Sequence, residues 1–351
     1  MTHSPFDPAE ARHHLLALPG DVVHDEVAAL ARTRFPRAVE TASATAGARE
    51  TRSRRTSSSP RTLRLSRLSE LVGPYAVGPE DAHLLGLPLF TGTVYAVHAP
   101  AERGDPPWPD SGDRTGFGRA FPDGLPVRDE GRVLDWALAV ARRLGGGLRT
   151  ATLPDGRPGT LLLPEAAAAV DLTVWSDVWL HPEAALTVMR RALPRAYLNL
   201  PTTPWQGPPP GIGEVPVSGA EVLTPEQRAA VHEAAEAYDL AALSEPAPMQ
   251  AYGALADLDI DGMVALEVGP ELDPPSVIAA LPWAANGAVT YQVRWEPADL
   301  DDLESERPTP AHRVARSRVT PLVLAVARAL HATVGGEVTD MMGFVVDPAD
   351  L

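Results

Sequence analysis

A chain of 351 residues with 44% apolar composition is long enough to bury two domain cores. It contains no cysteine and no lysine, which excludes disulfides, thiolate metal sites, a thiol nucleophile, a Schiff-base lysine and a phosphate-loop lysine. The formal net charge of −16 argues against general nucleic-acid binding, because phosphate contacts need a basic surface.

Residues 1–41 read as N-terminal helices, over 8–18 and 20–34, parted by Pro19-Gly20. Residues 42–70 are rich in Arg, Ser and Thr and poor in large apolar groups, so they cannot offset their ordering entropy and read as a flexible linker. Arg49, Arg52, Arg54, Arg55, Arg61, Arg64 and Arg67 make 49–67 the only basic stretch of the chain. A solvated linker is preferred there to an arm for nucleic acid or an acidic partner.

Residues 71–201 read as a first α/β module. A strand over 94–98 is followed by a long polar loop to 129, a helix over 133–144, the glycines 145–147 and another strand. Leu161–Leu163, a strand from Leu172, a helix opened by Pro182 and a closing strand complete a ferredoxin-like βαββαβ order. Residues 202–223 form a Pro/Gly-rich linker. Residues 224–351 hold a capped helix over 224–243 and a second module: two strands about Asp261-Gly262, a helix opened by Asp273-Pro274, a strand over 288–295, a second long helix and a strand near 343–346.

The two modules share a pattern. GRVLDWALAVARRL and SRVTPLVLAVARAL agree without a gap at Arg132/Arg318, Val133/Val319, Leu138/Leu324, Ala139/Ala325, Val140/Val326, Ala141/Ala327, Arg142/Arg328 and Leu144/Leu330. Upstream, Tyr95 and Val97 align with Tyr291 and Val293 at strand spacing. Duplication is preferred to chance because strand, helix and following glycines agree together. In the second copy Thr320-Pro321 has the form of an N-cap and first helical residue. The fold class expected is α+β or α/β, with two related two-layer modules.

For chemistry, the strand from Leu172 is expected to place Trp175, Asp177, Trp179 and His181 on one face. Two indoles, a carboxylate and an imidazole could line a ligand site, with Asp177 and His181 as an acid/base pair. The bland alternative is that another element covers the indoles. Asp257-Leu-Asp259-Ile-Asp261-Gly262 opens like a calcium loop, but Val268 stands where the bidentate Glu belongs, so a hairpin turn explains it better. His232-Glu233-Ala-Ala-Glu236 lacks the second His of a zinc helix, and His13-His14 show no companions at ligand spacing. No metal and no cofactor is expected.

The preferred functional reading is a non-catalytic module that binds a small molecule or a protein. The competing one is an enzyme using Asp177 and His181 beside Trp175 and Trp179. The N-terminal residues lack a secretory pattern and no apolar run approaches membrane-spanning length, so a cytoplasmic protein without membrane contact is expected. Its all-Arg basic charge and heavy Ala, Gly and Pro usage suit a GC-rich bacterial genome.

Overall fold

The computed structural model describes residues 6, 9–42, 60–108, 112–153, 156–199, 223–244 and 251–351. In chain order the elements are β1 (His14–Leu18), α1 (His24–Arg34), β2 (Val39–Ala42), β3 (Arg61–Arg64), β4 (Glu70–Ala76), α2 (Pro79–Leu84), β5 (Thr93–His98), α3 (Phe117–Ala120), α4 (Arg128–Arg143), β6 (Gly147–Arg149) and β7 (Leu161–Leu162). There follow β8 (Leu172–Ser176), α5 (Pro182–Met189), β9 (Tyr197–Asn199), α6 (Pro225–Ser244), β10 (Tyr252–Asp257), β11 (Met263–Glu271), α7 (Ser276–Ala279), β12 (Ala288–Glu296), α8 (Leu300–Leu303), α9 (Pro310–Val334), β13 (Glu337–Asp340) and β14 (Val345–Val346). The strands form two antiparallel seven-stranded sheets, which with the helices make an α+β protein.

Both sheets are strung in the same way. The first runs β2-β3-β4-β5-β1-β6-β7 and the second, read from its far edge, β9-β10-β11-β12-β8-β13-β14. In each, the first strand lies between the fifth and the sixth, and the long helix α4 or α9 joins those two.

Three expectations from the sequence need correction. The segment ending at Leu18 is not helical: His14-Leu15-Leu16-Ala17-Leu18 is buried along its whole length as a central strand paired with β5 and β6. A four-residue apolar run, Leu15–Leu18, fits a strand covered on both faces better than a two-turn helix. Residues 61–64, expected in the flexible linker, form β3 because Leu63 and Leu65 face the core while Arg61 and Arg64 face solvent. Arg61 pairs with Glu40 at 3.0 Å, and Arg49, Arg52, Arg54 and Arg55 lie outside the described residues. The βαββαβ order is not the one seen, since β8 pairs with β12 and β13, and β9 pairs with β10, all in the second sheet. Alternation marks a strand but does not choose its neighbour; β8 gains a partner on each edge only between β12 and β13.

The second long helix also starts earlier than Thr320-Pro321. It begins at Pro310, where Thr309 caps it by accepting from the His312 N–H at 3.2 Å, and Pro321 lies inside it. The same Thr-Pro signature thus occurs twice, and the upstream copy is the working one.

The apolar stripe of α4 (Val133, Trp136, Ala137, Val140) packs on Leu16, Leu18, Tyr95 and Val97 of the first sheet. That of α9 (Val319, Val323, Val326, Leu330) packs on Tyr291, Val293 and Trp295 of the second. Helix α4 is buried on its other side as well, at Leu138 and Ala139. The β13–β14 turn covers that side: Phe344 joins the first core, and Arg143 reaches the Val345 carbonyl at 3.3 Å.

A buried polar cluster closes the start of α4. Glu130 is fully buried; it accepts from the Glu102 N–H at 2.8 Å, pairs with the Arg103 guanidinium and lies 3.3 Å from His14 Nε2. His14 Nδ1 accepts from the Ala151 N–H at 3.0 Å, so Nε2 carries the proton toward Glu130 and the ring is neutral. Burial, helped by Arg103 and Arg149, lowers His14 from 6.5 to about 4. The unfolded chain then binds more protons between those values, so the stabilising term is complete above the unfolded pKa and is lost as pH falls toward the folded one. Its size is roughly 3 kcal/mol at 1.36 kcal/mol per pKa unit. Urea unfolding near neutrality and again about two pH units lower should show a smaller loss for His14→Gln than for the parent chain. Equal losses would contradict this account of His14.

Candidate functional site: a cleft between the two sheets

The loop joining β5 to α4 carries α3 and bridges Arg103 to Pro126, and its counterpart joining β12 to α9 carries α8. With the 163–171 connection between the sheets, these two loops enclose a cleft of about 40 Å³. Arg114 enters from the first loop and Arg142 from α4. His312 and Arg316, one turn apart on the same face of α9, enter from the other side.

The carboxylates around the cleft are already engaged. Glu165 is held by Arg316 at 2.5 Å and Arg313 at 2.9 Å. Glu306 takes a two-pronged contact from Arg119, at 3.0 Å from Nε and 2.6 Å from Nη2. Asp302 accepts from the Thr309 N–H at 2.8 Å and its hydroxyl at 2.6 Å, and those two bonds lower its pKa. Asp171 accepts from the Trp295 N–H at 2.9 Å, but burial still raises it.

Two cations have no carboxylate in ion-pair contact among the described residues. Arg114 donates to the Ala168 carbonyl at 3.2 Å and lies 3.5 Å from the Met341 sulfur. Arg142 is 7% exposed; its only hydrogen bond among the described residues is to the Met342 sulfur at 3.4 Å, and its Nε has no partner. Burial lowers the Arg142 pKa and the like charge of Arg114 adds to this, against the opposing pull of the Asp340 carboxylate. The His312 ring lies against Trp295 at a 51° tilt with ring centres 4.8 Å apart, and its Nδ1 is also buried with no hydrogen-bond partner among the described residues. Burial, Arg316 and Arg114 lower its pKa against the opposing pull of Asp302.

No protein-family model matches the chain, and no curated protein or solved structure gives a significant match. The chemistry of the cleft therefore rests on its own residues. A desolvated guanidinium whose neighbour is a thioether is an expensive arrangement, and an anion placed between Arg114 and Arg142 relieves it.

The residues singled out from the sequence are not brought together. Strand β8 ends at Ser176, whose hydroxyl accepts from the Val178 N–H at 3.1 Å, so strand alternation stops before Asp177. Asp177 and His181 are exposed, and no hydrogen bond joins them among the described residues. Trp175 is buried with Ile278, Ala284 and Ala288 and donates from Nε1 to Thr339 Oγ1 at 2.9 Å. Trp179 instead packs edge-to-face on Tyr252 at 5.6 Å, against the main core of the second sheet. The calcium-like stretch is a hairpin turn, with Leu258 N–H bonded to the Gly262 carbonyl at 2.8 Å. His232 and Glu233 are exposed on α6.

The sequence did hold a signal for Arg142. Leu138 lies one turn before it, off the main apolar stripe of α4, which marks a helix covered on two sides. Arg328, its aligned counterpart, is exposed.

Proposed function

We propose that the protein is a non-catalytic binding module, built by duplication of one βαββββαββ unit, whose inter-sheet cleft holds the anionic head of a small molecule. The observation that carries this is the pair Arg114 and Arg142, buried or half-buried at one cleft with no carboxylate in ion-pair contact with either among the described residues, Asp171 and Asp340 acting on them only from farther off. A volume of about 40 Å³ suits a carboxylate or phosphate group and falls well short of the few hundred Å³ that enclose a drug-sized ligand. The shared strand order of the two sheets supports the duplication, and it supplies two facing loops of equivalent origin as cleft walls.

Calorimetric titration of the full chain with inorganic phosphate and, separately, acetate tests this reading. One saturable site for at least one of the two is expected. Arg142→Met keeps the stem volume and removes the charge; it should weaken that site at least about tenfold, since a charge-assisted hydrogen bond contributes about 1.5–3 kcal/mol. Phosphate stabilises many proteins by exclusion from their surface, so a thermal shift of equal size in both proteins would refute the site rather than support it.

A further inference from the structure

The described histidines and carboxylates converge at one other place. His14 faces Val97 across β1 and β5, which sets His13 opposite His98, and Glu70 faces His98 from β4. Three adjacent chain segments thus carry Glu70, His98 and His13 in one row on the same side of the sheet. Glu10 folds back onto the row from the helical turn over Glu10–Arg12, and the metal-binding atoms of Glu10, His13 and His98 lie within 4.8 Å of one another. All three side chains are only partly buried, so an ion can reach them from solvent.

We propose that Glu10, His13 and His98 bind a divalent transition-metal ion, with zinc the best match to two imidazoles and a carboxylate, and that Glu70 orients His98 from behind. Zinc bonds of about 2.0–2.1 Å place tetrahedral ligands roughly 3.3 Å apart, so modest side-chain movement closes the site. His98 Nε2 lies 2.5 Å from Glu10 Oε2, and its Nδ1 lies 3.4 Å from Glu70 Oε1. An ion taken up at Nε2 displaces the proton shared with Glu10 and leaves an N–H at Nδ1 directed at Glu70. That is the carboxylate–histidine–metal arrangement that fixes the tautomer of a ligating histidine.

The scaffold is set before any ion arrives. Arg149, buried to 2% exposure, donates to the carbonyls of Ala11 at 2.5 Å, His13 at 3.2 Å and Leu85 at 3.1 Å. Thr152 adds a hydroxyl bond to the Ala11 carbonyl at 2.7 Å. The turn bearing Glu10 and His13 is thereby pinned to the end of β6. The His13 and His98 rings lie with centres 3.9 Å apart and planes tilted by 30°, an arrangement unfavourable to two imidazolium ions and open to one neutral, ligating pair. In sequence the signal was Glu10-Ala-Arg-His13, a Glu and a His three residues apart, completed by a strand residue that only the fold supplies.

The test is titration of the chelator-treated full chain with zinc alone, and with cobalt(II) to read visible d–d bands of tetrahedral coordination. One equivalent bound and strong cobalt bands are expected. Glu10→Gln, His13→Ala and His98→Ala should each abolish the stoichiometric site, and Glu70→Gln should weaken it about 10–100-fold. Circular dichroism identifies any variant that fails to fold, and Glu10→Gln, at a half-buried surface position, serves as the decisive one if the His variants do. His83→Ala, exposed elsewhere, and Arg142→Met should bind zinc as the parent does, which separates this site from the anion cleft. No stoichiometric binding, or binding that survives Glu10→Gln and His98→Ala, would overturn the proposal.

Discussion

Replacing Glu130 by alanine is expected to destabilise the protein by about 3–5 kcal/mol, the cost of breaking a buried charge pair from one side. The side chain is fully buried, and its removal strands the Glu102 N–H, the Arg103 guanidinium and the His14 Nε2–H together. Arg103, which also lies 4.6 Å over the Phe121 ring, can swing to solvent and soften the loss, whereas the backbone N–H cannot. Glu130→Gln should cost less, because its amide oxygen still accepts from Glu102. Urea unfolding at neutral pH measures both. A loss below about 1 kcal/mol for the alanine variant would mean that water replaces the carboxylate and that the cluster does not anchor the loop leading to Arg114.

The second large effect falls on the contact between the sheets. Phe344 sits in the turn joining β13 to β14, yet it is fully buried in the core of the first sheet beside α4. Phe344→Ala should cost about 3–5 kcal/mol, the usual range for an aromatic deleted from a core. Because the lost contact spans the two halves, unfolding should also broaden or split into two transitions, seen as non-coincident tryptophan fluorescence and circular dichroism curves. The backbone next to Phe344 is held independently: Asp340 accepts from the Met342 and Phe344 N–H groups at 2.9 and 3.0 Å, so the turn itself should persist. A loss as small as that of an exposed Phe90→Ala change would show that the halves do not share this core.

Helix α4 and strand β12 were legible in the sequence because each carries one strong period: three-to-four spacing through Val133, Trp136, Ala137 and Val140, and alternation through Tyr291, Val293 and Trp295. β1 was misread because five buried residues in a row show no period at all. β3 was missed because two inward leucines are outnumbered by the arginines around them. Strand partners were not legible, since the choice of β12 and β13 over β7 for β8 depends on edges far apart in sequence. The same limit governs the sites. Asp177 and His181 are near in sequence yet joined by no hydrogen bond among the described residues, whereas Arg114 and Arg142, or His13 and His98, meet only because loops and strands distant in sequence converge. Arg142 stood in the repeated helix throughout; only its packing against the β13–β14 turn distinguishes it from the exposed Arg328.

The most direct measurement follows the Arg side-chain Nε–H signals by NMR while inorganic phosphate is added, with Arg142, Arg114 and Arg328 assigned by single substitution to Met. A cleft that captures anions predicts saturating shifts and slowed proton exchange at Arg142 and Arg114, with Arg328 moving only as ionic strength changes. Parallel, non-saturating drifts at all three would contradict it.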